Sequence, residues 1–148
     1  MQVTQEHLEK FKEALREEDL RLTSQRRAIL EDMLASDEHR ECDDIYFSLK
    51  EKGMSVSRAT IYRTLELLEQ VGFVRKLQIG DGRARYENRL TTAHHDHLIC
   101  LRCGKIVEFV DRQIERRQQA ISEEYGFELV RHSHHLFGLC ENCRNGDA

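Results

Sequence analysis

HHDHLICLRC, residues 94–103, places three histidines, an aspartate and a Cys-x-x-Cys pair within ten residues. A second Cys-x-x-Cys pair lies near the end of the chain, at 140–143. Two thiolates separated by two residues can bind one metal ion from a tight turn, and two such turns supply the tetrahedral Cys₄ set that Zn²⁺ favours. The 36 residues between the pairs can hold a strand, a helix and a further strand. The predicted structural zinc ligands are Cys100, Cys103, Cys140 and Cys143.

Two redox-active Cys-x-x-Cys motifs are the alternative, and they would make the chain a thiol-redox or metal-handling protein. Thioredoxin-like chemistry requires such a motif at a strand-to-helix junction, with a depressed thiol pKa. Here Cys103 is followed by Gly104 and a strand-like run, which favours zinc. The fifth cysteine, Cys42, has no partner nearby and is predicted to be a small buried hydrophobic residue.

Length and composition limit the possible classes. The 148 residues suffice for one sizeable domain or two small ones. No run approaches the roughly 18 apolar residues of a membrane span, and the charged N-terminus lacks the apolar core of a signal peptide. These features predict a cytoplasmic protein with reduced thiols and no membrane partner. The net charge of −4 means that nucleic-acid binding would require a local basic patch.

Histidine and cysteine are concentrated in the second part of the chain. Residues 91–148 hold six of the eight histidines and four of the five cysteines. Most of the helical pattern lies before them. We therefore predict an α+β fold with two domains, residues 1–88 and 89–148.

Four helices are predicted in the first domain from apolar residues at helical spacing. Thr23 and Ser57 are suitable N-caps for the second and fourth helices, and glycines stop the last two. The predicted helices run from 5 to 18, from 24, from 43 to Gly53, and from 58 to 71, with Gly72 as the stop. A strand over 73–79, a Gly-Asp-Gly turn and a returning strand over 83–87 predict a hairpin. Helices followed by a two-stranded hairpin are the plan of a winged-helix DNA-binding domain.

The N-terminal half of the fourth predicted helix is cationic and rich in hydrogen-bonding groups. Such a helix end suits insertion into a DNA major groove, although an ordinary solvated helix face is the alternative. Residues 57–89 carry seven basic side chains against four acidic ones, a modest excess that a dimer would double. The candidate DNA contacts on this helix are Arg58, Thr60, Tyr62 and Arg63.

The second domain is predicted to be a small module with few core residues. A strand over 105–110, a helix that Asp111 caps, and strand-like runs over 127–130 and 136–139 make up its pattern. Zinc ligation, worth about 10–16 kcal/mol in small zinc peptides, would compensate for the small core.

The histidines allow a sharper prediction. If residues 94–97 are extended, the period of two sends alternate side chains to opposite faces, which makes two donor sets. Mixed imidazole and carboxylate donors suit Fe²⁺, Mn²⁺ or Zn²⁺. The alternative is that these are surface histidines that hydrogen-bond to one another, and we prefer that reading for His7, His134 and His135. The two candidate sets are His95 and His97 with Glu108, and His94 and Asp96 with Glu115 and His132.

From end to end the chain resembles the ferric uptake regulator family of bacterial metal-dependent repressors. The motifs that carry the resemblance are LTSQRR (22–27), ATIYRTL (59–65), HHDHLIC (94–100), CGKIVEF (103–109) and GLCENC (138–143). The resemblance implies a homodimer with N-terminal winged helices, a C-terminal dimerisation domain and a Cys₄ structural zinc. It also implies binding to double-stranded DNA at an AT-rich inverted repeat.

The resemblance implies roles for individual residues. A regulatory ion would be bound by ligands from both domains, which are His39, Glu87, His95, His97 and Glu108. An additional site would be formed by His94, Asp96, Glu115 and His132. Tyr62 and Arg63 would contact DNA from the recognition helix. Glu17 and Glu18 stand where family members often have a basic residue for the minor groove, so Arg16 or Arg21 would serve instead.

The function implied is a transcriptional repressor that senses Fe²⁺ and controls iron-uptake genes, with Mn²⁺ or Zn²⁺ as substitutes in vitro. Glutamates at 87 and 108 resemble the iron-responsive branch, but zinc, manganese or peroxide is the alternative signal within the family. No constellation of nucleophile and base predicts an enzyme or a small-molecule substrate.

Overall fold

A computed structural model describes residues 1–92 and 94–146 of the chain. Its secondary structure is mixed helix and sheet, which confirms the predicted α+β class. The chain divides into two compact units, Met1–Ala93 and His94–Ala148. Within the described residues, no helix is both long enough and apolar enough to cross a membrane.

The first unit begins with four helices: α1 (Gln5–Glu17), α2 (Ser24–Leu34), α3 (Cys42–Glu51) and α4 (Arg58–Val71). Thr23 and Ser57 cap α2 and α4 as predicted, because each side-chain oxygen accepts a backbone N–H from three residues further on. Gly72 ends α4 in the left-handed region, at φ +88°, which residues with a β-carbon rarely adopt.

The third helix starts one residue earlier than predicted. Glu41 is its N-cap, and the Glu41 backbone N–H donates to Asp44 Oδ2 at 2.7 Å, so Cys42 already lies in the helix. Cys42 is 2% exposed and belongs to the apolar core of the first unit, as predicted.

A hairpin completes the first unit. Strands β1 (Val74–Gln78) and β2 (Ala84–Asn88) pair in antiparallel register. Tyr86 of β2 is 1% exposed and belongs to the same apolar core as the buried residues of the four helices. Tyr86 also forms an isolated antiparallel bridge with Arg40, which ties the segment before α3 to the hairpin.

The second unit is built on a three-stranded sheet. Its elements are β3 (Asp96–Cys100), β4 (Ile106–Phe109), α5 (Arg112–Glu124), β5 (His135–Gly138) and the short α6 (Glu141–Arg144). The central strand β3 pairs with β4 in antiparallel and with β5 in parallel direction. Asp111 caps α5 as predicted, because its carboxylate accepts the backbone N–H groups of Gln113 and Ile114.

The predicted strand over residues 127–130 was wrong. These residues have no regular secondary structure, and Phe127 and Val130 are 70% and 87% exposed. Their aromatic and β-branched side chains favour strands only where a neighbouring strand and a buried face are present. Both edges of β3 are occupied by β4 and β5, and residues 127–130 pair with none of the three.

Candidate metal centres

The four cysteines of the second unit converge at one end of its sheet. Cys100 ends β3, Cys103 stands in the turn that Gly104 completes at φ +78°, Cys140 is the N-cap of α6, and Cys143 lies within it. Their sulfur atoms all lie within 4.8 Å of one another. The Sγ atoms of Cys103 and Cys140 are 3.7 Å apart. A tetrahedral zinc ion with Zn–S bonds of about 2.3 Å requires sulfurs about 3.8 Å apart, so the cluster fits zinc.

Backbone donors make the cluster suitable for thiolates. The Cys140 N–H donates to Cys100 Sγ at 3.4 Å. Backbone hydrogen bonds from Cys103 and Cys140 lower the pKa of Cys100 to about 5, whereas burial raises the pKa of Cys143 to about 12. All five cysteines are free of disulfide bonds. A divalent cation would allow all four clustered thiols to ionise, because its charge offsets their mutual repulsion.

A second cluster in the same unit contains only nitrogen and oxygen donors. It consists of His94, Asp96, Glu115 and His132, whose ligand atoms lie within 4.8 Å of one another. His132 Nε2 is 3.3 Å from Asp96 Oδ1 and 3.2 Å from Glu115 Oε1. His94 Nε2 is 2.8 Å from His132 Nε2. Tetrahedral zinc with bonds of about 2.0–2.1 Å separates its ligand atoms by about 3.3–3.4 Å, close to most of these distances.

Asp96 is the most deeply buried member of this cluster. Its side chain is 1% exposed, and within the described residues neither carboxylate oxygen accepts a hydrogen bond. Burying a carboxylate without donors is costly, and a bound cation would remove that cost. Oδ1 faces His94 and His132, while Oδ2 is 3.9 Å from His134 Nδ1. This arrangement indicates a cation site on the Oδ1 side.

A third group of donors in the second unit lies across two strands of the sheet. His97 of β3 stands opposite Glu108 of β4, so their side chains share one face. His95 Nε2 lies 3.4 Å from Glu108 Oε1, and the rings of His95 and His97 are 4.8 Å apart. The strand begins at Asp96, so His94 and His95 precede it. Asp96 and His97 nevertheless project to opposite faces.

The first unit contributes the remaining two candidate ligands. His39 Nε2 is 3.4 Å from Glu87 Oε2, and the Glu87 side chain is 3% exposed. Arg75 Nη1 donates to Glu87 Oε1 at 3.2 Å. Both ligand candidates therefore lie side by side, and Arg75 holds one oxygen of the carboxylate.

The candidate DNA contacts differ in their availability. Arg58 is engaged within the first unit, where its Nε donates to Asp43 Oδ1 at 2.7 Å and its guanidinium lies 4.1 Å from the centre of the Tyr46 ring. Tyr62 is 47% exposed, and Arg63 is also exposed. The remaining candidates are the partly buried Thr60, which accepts a hydrogen bond from Ser57, and the exposed Arg16 and Arg21.

Sequence reasoning missed several groups near these clusters. His134 and His135 are close to metal-donor residues: His134 lies near Asp96, and the rings of His135 and His97 are 5.6 Å apart. The parallel register, which pairs His97 with His135, causes this proximity and has no local signal in the sequence. His7, by contrast, hydrogen-bonds with Thr4 at the start of α1, in line with its predicted polar role.

The chain thus has a helical unit with a hairpin and a sheet unit that carries a four-cysteine cluster and groups of imidazole and carboxylate donors. This combination is typical of a protein with several metal sites. The model of the ferric uptake regulator family matches residues 17–137, and the chain belongs to this family. It is 41% identical over 143 residues to the ferric uptake regulation protein of Campylobacter jejuni, covering 95% of this chain and 90% of the relative.

Two further comparisons span nearly the whole chain. The peroxide-responsive repressor of Staphylococcus saprophyticus is 34% identical over 145 residues, with 98% of this chain and 97% of the relative covered. Among solved structures, the Helicobacter pylori ferric uptake regulator is 33% identical with a TM-score of 0.78, and the match covers 93% and 91% of the two chains. Members of the family are dimeric, DNA-binding transcriptional regulators and not enzymes, which confirms the predicted family and the prediction that the chain is not an enzyme.

Proposed function

We propose that this protein is a transcriptional repressor that binds DNA when Fe²⁺ is plentiful and controls iron-uptake genes. The observation that supports this best is the separation of the donors by type: one cluster is all sulfur, and the others are all nitrogen and oxygen. Thiolates hold zinc tightly as a structural ion, whereas imidazole and carboxylate sets bind Fe²⁺, Mn²⁺ or Zn²⁺ and can exchange them. The sulfur-free clusters therefore suit a sensor.

The regulatory ion is proposed to use ligands from both units. His95, His97 and Glu108 supply one part of the set, and His39 and Glu87 supply the other. An ion that binds both parts favours one arrangement of the two units by the difference in its affinity for the two states. In that arrangement the residues proposed to contact DNA, Tyr62 and Arg63 with Arg16 or Arg21, are held at the spacing of an AT-rich inverted repeat.

The additional site is proposed to bind a further cation through His94, Asp96, Glu115 and His132. The Helicobacter pylori regulator has three functional metal-binding sites. Three donor sets in this chain, including the zinc cluster, correspond to that number. Residues 1–88 would then form the DNA-binding domain and 89–148 the dimerisation and metal-binding domain.

Anaerobic titration with Fe²⁺, Mn²⁺ and Zn²⁺ tests the proposal, with a mobility shift on an inverted-repeat duplex as the readout. We expect metal to raise the DNA affinity of the wild type and to have no such effect on His97→Ala, which should remain a folded dimer. If metal still raised the affinity of His97→Ala by about tenfold or more, the assigned regulatory site would be wrong. Arg63→Ala is the matched control, since it should weaken DNA binding without changing metal affinity.

Peroxide sensing is the second candidate, and the similarity to the Staphylococcus saprophyticus repressor favours it. The same mobility shift distinguishes the two functions. An iron sensor recovers its DNA binding when Fe²⁺ is added back after brief exposure to dilute hydrogen peroxide. A peroxide sensor does not recover, because the protein itself has been oxidised.

A further inference from the structure

Asp32, a buried carboxylate in α2, belongs to none of the metal clusters. It is 4% exposed and accepts hydrogen bonds from three side chains. Arg40 Nη2 donates to Oδ2 at 2.7 Å, while Ser48 Oγ and Lys52 Nζ donate to Oδ1 at 2.7 and 2.6 Å. Arg40 Nη1 also donates to the Asp32 carbonyl oxygen at 2.7 Å, so one guanidinium binds both the side chain and the main chain of Asp32.

The charge on Asp32 is secured by these donors. Burial by itself would raise the pKa of Asp32, but the hydrogen bonds from Lys52, Ser48 and Arg40 outweigh burial and lower the pKa below its usual value. Arg40 is therefore attached to α2 by two short, charge-assisted hydrogen bonds, which are the stronger kind in proteins.

The main chain of Arg40 connects this network to β2. The Arg40 N–H donates to the Tyr86 carbonyl oxygen, and the Tyr86 N–H donates to the Arg40 carbonyl oxygen, both at 2.8 Å. In an antiparallel pair, the residue before one member of the bridge stands opposite the residue after the other member. Those residues are His39 and Glu87, whose Nε2 and Oε2 atoms are 3.4 Å apart. The Arg40–Tyr86 bridge therefore fixes the alignment of the two candidate ligands.

The two ligands are supported unequally. Glu87 lies within β2 and is also held by Arg75. His39 lies in the connection between α2 and α3. Within the described residues, the Arg40–Tyr86 bridge is the only β-pairing between this connection and a strand. Asp37, two residues before His39, accepts a hydrogen bond from the Thr91 hydroxyl, and this bond anchors the start of the connection. The Arg40–Tyr86 bridge therefore holds the main chain directly next to His39.

We infer that Asp32 and Arg40 are positioning residues that hold His39 opposite Glu87 and so set the affinity of the regulatory metal site. This inference rests on the proposed function, in which both of those residues are ligands. Neither Asp32 nor Arg40 touches the ion. A ligand pair that is already aligned loses less conformational freedom when metal binds, and groups that support ligands typically change metal affinity by about 10- to 100-fold.

The test compares Arg40→Gln with Ser48→Ala. Both remove a donor from the same carboxylate, but only Arg40 carries the main-chain bridge next to His39. Fluorescence anisotropy on the inverted-repeat duplex, titrated anaerobically with Mn²⁺, gives the metal midpoint and the DNA affinity at saturating metal. For Arg40→Gln we expect the midpoint to rise by about tenfold or more, with DNA affinity at saturation changed by less than about twofold. Ser48→Ala should keep the wild-type midpoint.

A second variant covers the case in which Arg40→Gln does not fold. The double replacement Asp32→Leu with Arg40→Met removes both charges, leaves no unpaired buried carboxylate, and should show the same shift in midpoint. An unchanged midpoint in either folded variant would overturn the inference. His39→Ala separates the two levels: if it moves the midpoint and the Arg40 variants do not, only the positioning role fails. If His39→Ala also leaves the midpoint unchanged, the proposed regulatory site fails with it.

Discussion

Replacing Cys143 by serine should remove the ordered structure of the second unit while leaving the first unit folded. Cys143 is 2% exposed and supplies one of the four clustered sulfurs. Serine has nearly the same shape, but its hydroxyl is a much poorer zinc ligand than a thiolate. The replacement therefore tests the zinc site without leaving a large cavity.

The expected size of the effect follows from how little apolar surface the second unit buries. Among its described residues, the hydrophobic side chains that are buried within one protomer are Ile99, Cys100 and Cys143, and two of these are proposed zinc ligands. A fully buried aliphatic side chain contributes about 1.5–3 kcal/mol, whereas a structural zinc contributes about 10–16 kcal/mol. Zinc outweighs the apolar core within one protomer several-fold, so its loss exceeds what that core can offset.

Two measurements and one control variant check this prediction. Elemental analysis should find about one zinc per chain in the wild type and much less in Cys143→Ser. Amide hydrogen exchange should show lost protection in β3 and β4 and retained protection in α4. Cys42→Ala is the matched control, because it removes a buried thiol from the core of the first unit. It should keep its zinc and the protection of β3.

The reasoning would be refuted if zinc-free Cys143→Ser kept wild-type protection in β3. That result would mean that the sheet is stable without the ion. Equal loss of zinc from Cys42→Ala would also contradict the assignment, since it would show that any loss of a thiol has this effect.

Two further predictions concern a buried tyrosine and the additional metal site. Burial raises the pKa of Tyr86 to about 12, so its contribution to stability is complete below pH 10 and is lost as pH rises towards 12. Urea unfolding should show that the free energy of unfolding falls between pH 9 and pH 11.5, and that this fall is smaller by about 2 kcal/mol in Tyr86→Phe than in the wild type. An equal fall in the two proteins would contradict the prediction. Glu115→Gln keeps the shape of that side chain but removes its charge, so calorimetric titration with Zn²⁺ should lose one binding event while the Cys₄ zinc remains. An unchanged number of binding events would show that Glu115 is not a ligand.

Local features of the sequence predicted most of the helices. Thr23 and Ser57 cap their helices through hydrogen bonds to residues three positions away, and Gly72 ends α4 through its own backbone conformation. Such signals lie within one turn of the chain and are visible in the sequence. The ferric uptake regulator resemblance rests on contiguous motifs of the same kind.

Pairings between distant segments could not be predicted from such local features of the sequence. The parallel pairing of β3 with β5 joins residues 97 and 135, and no residue in either strand specifies the other. The same limitation explains the incorrect strand over 127–130, where side chains suited to a strand lack a partner. Asp32 and Arg40 are eight residues apart in an ordinary charged stretch, so their pairing also depends on how the connection between α2 and α3 folds.

The four-cysteine cluster, as the proposed zinc site, has a consequence for the sites without sulfur. Cys100 ends the same strand that carries Asp96 and His97, and Cys140 lies two residues after Gly138, the end of β5, which pairs with that strand. An ion bound to both cysteines therefore fixes the register between the two strands. Asp96 and His97 project from β3 to opposite faces, so that register sets the position of a ligand in each of two donor sets. Loss of zinc should consequently abolish both imidazole–carboxylate sites along with the fold, and Cys143→Ser should bind neither Mn²⁺ nor DNA.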